Sequence, residues 1–309
     1  EIHMSLLLRR AYPLLILLLF LLSACGDSST ATPGGSSSPT AISVVAAENF
    51  YGDITRQLGG SHVSVTSILS DPNVDPHEYE SNVQTAETVS KAQLVIENGL
   101  GYDTWMDRLL AASPKPGRIV LVAGDIANHK LTDNPHVWYG FDNVTTIAQA
   151  ITGALKKLDS NDASTFDNNL AAFNQSLMPL EQKISAINSK YAGTPVALTE
   201  TIYLYQSTPE GLDVLTPFEF EKAIAEGNDP PADTVTITND QITRKQVKVL
   251  IYNVQTITPI TTNLQNEARR LNIPIVPVSE TMPPAKTYQT WMMDQLDTLE
   301  QALATATGK

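Results

Sequence analysis

The stretch DASTFDNNLAAFNQSLMPLEQKISAINSKY (Asp162–Tyr191) places Phe166, Leu170, Phe173, Leu177, Leu180, Ile184, Ile187 and Tyr191 at spacings of 4, 3, 4, 3, 4, 3 and 4. That period puts every one of them on a single stripe of one helix. At 1.5 Å per residue, thirty residues span roughly 45 Å, long enough to run beside two separate cores. Pro179 lies inside the run and predicts a kink or local irregularity. A free coiled coil would give the same stripe, but the segments on either side argue against it.

Before the stripe, strand and helix patterns alternate. AISVVAAENF reads as a buried strand entering a helix, VSVTSIL as a second strand, LVIENG as a third and RIVLVA as a fourth, with TAETVSKAQ and GYDTWMDRLLAAS helical between them. NVTTIAQAITGALKKLD is a further helix leading into the stripe. After the stripe the alternation restarts. PVALTE is strand and IYLYQSTPEGL helix, then comes a Pro-rich loop EGNDPPADTVT, a helix around DQITRKQ, and strand VKVLIYN. TTNLQNEARRLN (helix), IPIVPVSE (strand) and the amphipathic YQTWMMDQLDTLEQALA (helix) close the chain. Alternation of this kind predicts parallel sheets with helices on both faces. The expected fold is therefore α/β, with two lobes, each a mostly parallel sheet flanked by helices, joined by one long helix. The N-terminal lobe takes residues 42–141, the helical segment 142–191 and the C-terminal lobe 192–309. No internal sequence repeat, glycine-rich phosphate loop or Ser nucleophile elbow is visible.

The chain has 309 residues, enough for two cores, with 42% hydrophobic and 17% charged residues, an ordinary globular composition. Its formal charge of -13, from 20 basic and 33 acidic side chains, speaks against nucleic acid as a partner and suits a cationic ligand. Arg9 and Arg10 precede the apolar run YPLLILLLFLL, which is short for a membrane span and ends in LSAC, Leu22–Cys25. This resembles a bacterial lipobox, so residues 1–24 are expected to be a signal peptide and Cys25 the site of lipidation. Residues 25–41, rich in Gly, Ser, Thr and Pro, then form a flexible tether. Two acyl chains, at roughly 0.8 kcal/mol per buried methylene, give stable anchoring. Cys25 is the only cysteine, which excludes an intramolecular disulfide and a thiolate metal cluster. Removing Glu1, Arg9 and Arg10 with the leader leaves 18 basic and 32 acidic residues, so the acidity belongs to the mature part. The expected location is the outer face of the bacterial cytoplasmic membrane, as a lipid-anchored monomer.

Two loops carry a Pro-His pair: DPHEYE (Asp75–Glu80) and NPHVWYG (Asn134–Gly140), with His77 and His136 59 positions apart. Proline stiffens the backbone that presents each imidazole. In open α/β sheets ligands bind at the carboxyl ends of strands. In the second half, Glu200 and Glu280 stand at two such ends. Two imidazoles and two carboxylates can enclose one divalent cation. Glu210, Glu219 and Glu221 compete with Glu200 on sequence grounds. Asp75, Glu78 and Glu80 are candidates to orient His77, or form a solvated loop face. His62 and His129 read as surface or hydrogen-bonded residues, and Trp138 and Tyr139 as packing beside the site.

On DPHEYE, NPHVWYG, Thr199-Glu200 and SETMPP (Ser279–Pro284), the chain from about Ile42 onward resembles the cluster A-I metal-binding lipoproteins, the zinc/manganese solute-binding components of ABC importers. The resemblance implies His77, His136, Glu200 and Glu280 as ligands of one Mn or Zn ion, which is the transported ligand, and an ABC permease as partner. It implies a receptor and not an enzyme. Many relatives carry histidine third and aspartate fourth; glutamate at both positions adds reach and favours a harder ion such as Mn²⁺, although Zn²⁺ binds such donors more tightly on the general affinity series. The histidine-rich loop of some zinc-specific relatives is missing here. The rival readings are a metal-dependent hydrolase on the same ligands and a surface adhesin.

Overall fold

The computed structural model describes residues 41–72, 79–127 and 134–309. The leader, Cys25 and the tether lie outside these residues. β1 (Ile42–Glu48) runs into α1 (Asn49–Gly59), followed by β2 (Val63–Leu69), α2 (Val83–Lys91), β3 (Leu94–Glu97), α3 (Thr104–Ala112), β4 (Ile119–Val122) and a one-turn α4 (Ala123–Ile126). Two longer helices come next, α5 (Phe141–Leu158) and α6 (Ala163–Tyr191). The second half is β5 (Pro195–Leu198), α7 (Leu204–Ser207), β6 (Asp213–Val214), α8 (Phe218–Ala225), α9 (Ala232–Thr243), β7 (Val249–Asn253), α10 (Pro259–Arg270), β8 (Ile275–Val278) and α11 (Tyr288–Thr307).

The strands form two four-stranded sheets, ordered β2-β1-β3-β4 and β6-β5-β7-β8. Every pair is parallel, for example Val44 against Val65 and Leu94, and Leu198 against Ile251. The second half thus repeats the topology of the first, as the alternation of patterns predicts. In each sheet the chain steps outward once and then crosses to the other side, so the carboxyl ends of β1 and β3, and of β5 and β7, flank a switch point where open α/β sheets bind ligands. Parallel strands are covered on both faces and read as unbroken apolar runs; all four residues of β3 are buried.

Local chemistry starts several of the helices. Asn82 accepts from the Thr85 amide at the head of α2. Thr258 and Thr287 make reciprocal capping boxes on α10 and α11, and Pro259 takes the first-turn position of α10, where no amide hydrogen is needed. α6 carries the predicted stripe. Phe166, Phe173, Leu177, Leu180, Ile187 and Tyr191 are buried, and Leu170 and Ile184 are half-buried against the same core. The helix runs unbroken through Pro179. That core is continuous. It joins Val44 and Ile96 of the first sheet, α5, α6 and α11, and Val196, Ile251 and Val276 of the second. Burying each such Val, Leu, Ile or Phe contributes about 1.5–3 kcal/mol.

Three local expectations differ from the structure. β6 and α8 occupy residues to which the sequence pattern assigns no element, and IYLYQSTPEGL forms a 3-10 turn at Thr201–Tyr203 and the short α7, not one helix. The Pro-rich loop ends at Pro231, because α9 already begins at Ala232. His136 does not follow a strand end directly, since α4 intervenes after β4.

Candidate metal centre

The carboxyl ends of the second sheet's strands supply two carboxylates. Glu200 lies two residues beyond β5 and caps the 3-10 turn Thr201–Tyr203, its Oε2 accepting from the Ile202 amide at 2.9 Å. Glu280 lies two residues beyond β8. Its Oε1 accepts from Asn253 Nδ2 at 2.6 Å, its Oε2 from the Tyr102 hydroxyl at 2.7 Å, and its own amide donates to Gln255 Oε1 at 2.7 Å. Asn253 ends β7, so three neighbouring strands hold the two glutamates, while Tyr102 reaches over from the first sheet.

Tyr102 is delivered by a left-handed turn. Gly99, Leu100 and Gly101 all have positive φ, at 73°, 56° and 82°. Glycine adopts this region at little cost, whereas Leu100 pays about 1–2 kcal/mol. Asp103 offsets that cost by accepting from the Asn98 and Gly99 amides at 2.6 and 2.8 Å.

His136 provides the nitrogen. It is fully buried, and Asn134 Oδ1 lies 2.9 Å from its Nδ1 and accepts from its backbone amide at 3.1 Å. The Asn134 amide is oriented by Nδ2 donating to the Thr201 carbonyl at 2.9 Å. An amide oxygen only accepts, so Nδ1 carries the proton and Nε2 the lone pair, the tautomer a metal-ligating imidazole needs. Trp138 packs edge-on to the imidazole with ring centroids 5.2 Å apart. His136, Glu200 and Glu280 each offer one ligand atom, and these atoms lie within 4.8 Å of one another.

The electrostatics favour a cation. All three side chains are at most 1% exposed. Burial, and then the Glu280 carboxylate, hold the Glu200 carboxyl well above its ordinary range. Glu221 of α8 is also buried and raised, first by desolvation and then by Glu200. Glu200 Oε1 has no hydrogen-bond partner among the described residues. Two buried carboxylates that repel one another, beside an imidazole nitrogen, suit a small divalent ion that replaces their protons.

The family model described as zinc-uptake complex component A, periplasmic (ZnuA) matches residues 44–302. The chain belongs to the ZnuA family. Among curated relatives, this ZnuA-family chain is 28% identical over 185 residues to the manganese ABC transporter substrate-binding lipoprotein scaA of Streptococcus gordonii, covering 55% of this chain and 58% of that protein. The chain therefore spans little more than half the length of that relative. It is 26% identical over 217 residues to the manganese-binding lipoprotein MntA of Halalkalibacterium halodurans, covering 67% of this chain and 70% of the other. Its fold matches the periplasmic zinc-binding protein TroA of Treponema pallidum with a TM-score of 0.74 at 18% identity, over 85% of this chain and 99% of TroA. It also matches the solute-binding protein FpvC of Pseudomonas aeruginosa, solved with Mn²⁺, with a TM-score of 0.70 at 22% identity, over 86% and 100% of the two chains.

Of the four ligands expected from the ZnuA-family motifs, His136, Glu200 and Glu280 come together, and His77 lies outside the described residues, as do Asp75, Glu78 and His129. Glu80 is exposed. Of the competitors of Glu200, Glu219 is exposed, and Glu210 is buried and accepts from the Tyr203 hydroxyl at 2.9 Å. Trp138 and Tyr139 pack beside the site, Tyr139 donating to the Ser279 carbonyl at 2.7 Å and to Gln295 Oε1 at 2.8 Å. Asn134, Tyr102, Asn253 and Gln255 were not singled out from the sequence. The only signal for them is position: Asn134 stands two residues before His136, Asn253 at the end of an apolar strand.

Proposed function

We propose that this chain is an extracytoplasmic receptor that binds one divalent transition-metal ion, Mn²⁺ or Zn²⁺, and hands it to an ABC import permease. The ligands in this reading are His136, Glu200 and Glu280, with His77 of the first Pro-His loop as the fourth. One observation carries it. Three buried ligand-type side chains converge, and hydrogen bonds from Asn253, Tyr102 and the Ile202 amide, and between His136 Nδ1 and Asn134, hold them in place. Membership of an uptake family supports the reading, as do relatives named for manganese binding. It makes the chain a carrier and not an enzyme. The division into lobes at residues 42–141 and 192–309 with 142–191 between them, the monomeric state, and lipid anchoring at Cys25 on the outer face of the cytoplasmic membrane belong to the same proposal. No helix among the described residues is long and apolar enough to cross a membrane.

The donor set fits the ion. Imidazole suits Zn²⁺, and glutamates that can bind through one or both oxygens suit Mn²⁺. Calorimetric titration of the chelator-stripped protein with Mn²⁺, and separately with Zn²⁺, tests the reading. We expect one tight equivalent of at least one ion, abolished by His136→Ala and by His77→Ala. No saturable tight binding of either ion would end it.

A further inference from the structure

We propose that His62, Asp159 and Asp162 form a second, weaker site for a divalent transition-metal ion, at the end of α5 remote from the candidate centre. His62 closes the 3-10 turn Gly60–His62 that follows α1, while Asp159 and Asp162 end α5 and begin α6. Three separate elements therefore bring one nitrogen and two oxygen donors together. His62 Nδ1 lies 3.1 Å from Asp162 Oδ2 and 4.0 Å from Asp159 Oδ2, and one ligand atom from each of the three lies within 4.8 Å of the others. With metal–ligand bonds of about 2.0–2.2 Å, neighbouring donors in a tetrahedral or octahedral shell sit about 3–3.6 Å apart. One of these spacings already fits, and the other closes with a small movement of a loop side chain.

The placement of both aspartates is better explained by a cation than by the helices. Asp is a favoured N-cap, yet Asp162 makes no capping bond to α6 and turns its carboxylate to the imidazole instead. Asp159 stands at the C-terminal end of α5, where the helix dipole repels an anion. Its Oδ1 accepts from the Asn161 amide at 3.2 Å, which directs Oδ2 toward His62. The nearby Lys156 is engaged with Asp167 at 2.7 Å. Phe166, fully buried, packs edge-on to the His62 ring with centroids 5.6 Å apart and holds it in place. The three side chains are 20–32% exposed, so water can reach the ion and complete its shell.

This site is independent of the candidate centre. α5 starts five residues after His136 and ends beside Asp159, and its 18 residues separate the two by about 27 Å. One imidazole and two carboxylates rank Zn²⁺ above Mn²⁺, and water ligands with partial exposure make the binding weak.

Equilibrium titration of the chelator-stripped protein with Zn²⁺ tests the proposal. The wild type should bind a second, weaker equivalent. His62→Gln and Asp162→Asn should each weaken that equivalent at least tenfold and leave the tight one unchanged, which also shows that both variants fold. His136→Ala should lose the tight equivalent and keep the weak one. A wild type with no second equivalent, or a second equivalent indifferent to both His62→Gln and Asp162→Asn, would overturn the proposal and reduce the cluster to an ion pair. A wild type that shows only the weak, His62-dependent equivalent would uphold this site and reject the central one.

Discussion

At the scale of single residues, the candidate centre depends on the groups that hold its three ligand-type side chains in place. Asn134 both accepts the hydrogen bond from His136 Nδ1 and ties the histidine loop to the Thr201 carbonyl of the other sheet. Partners of this kind typically set 10–100-fold in metal affinity. Asn134→Ala should therefore weaken Mn²⁺ or Zn²⁺ binding by about that factor while leaving one equivalent in competition with a calibrated chelator. Unchanged affinity would mean that the imidazole is held without Asn134, by its packing against Trp138 and Tyr102 and by the Thr201 hydroxyl 3.4 Å from Nδ1. His136, Glu200 and Glu280 were legible in the sequence because their residue types are metal ligands and their neighbours form motifs. Asn134, Asn253, Gln255 and Tyr102 were not, because uncharged amides and a phenol are ordinary surface residues until the fold buries them beside a carboxylate or an imidazole. Tyr102 is 178 positions from Glu280, and no local pattern links them.

At the scale of elements, the stripe on α6 was legible because seven consecutive spacings of 3 or 4 leave no other period. β6 was not. Two residues are too few for any alternation to register, and the pairing of Val214 with Val196 that defines it is a tertiary event. α8 was not read either, because its eight residues between Pro217 and the Pro230-Pro231 pair are too few for a helical period to stand out. The stripe also makes a graded prediction. Phe173, 2% exposed in the shared core, should cost about 3–5 kcal/mol when replaced by alanine, read as a lowered urea midpoint. Leu170, half-buried on the same face, should cost clearly less on truncation. Equal losses would mean that the two positions share one environment and that the described packing of α6 is wrong.

At the scale of the whole molecule, one core runs through both sheets, and several carboxyl groups are sealed inside it. Burial first, then Asp103, Asp107 and Asp125, push the Glu97 carboxyl up to about 8. Burial alone pushes Glu210 to about 8, only partly offset by the Tyr203 hydroxyl, and Asp103 rises to about 6. The folded chain keeps these protons at a pH where the unfolded chain, with carboxyl pKa values near 4, has released them. Over that window the native state binds more protons than the unfolded one, so its stability falls as pH rises. The contribution is complete below about pH 4 and is largely lost by about pH 8, amounting to a few kcal/mol per group in order of magnitude. Urea midpoints of the metal-free protein should therefore decline from about pH 5 to about pH 8, and Glu97→Gln with Glu210→Gln should flatten the decline. A metal ion acts in the opposite sense. It binds deprotonated ligands, and the raised Glu200 carboxyl must give up its proton to receive it, so the stabilisation gained on loading should grow across the same window. Midpoints measured with and without saturating Mn²⁺ should diverge as pH rises. Parallel curves would mean that the ion displaces no proton, and Glu200 would then not be among its ligands.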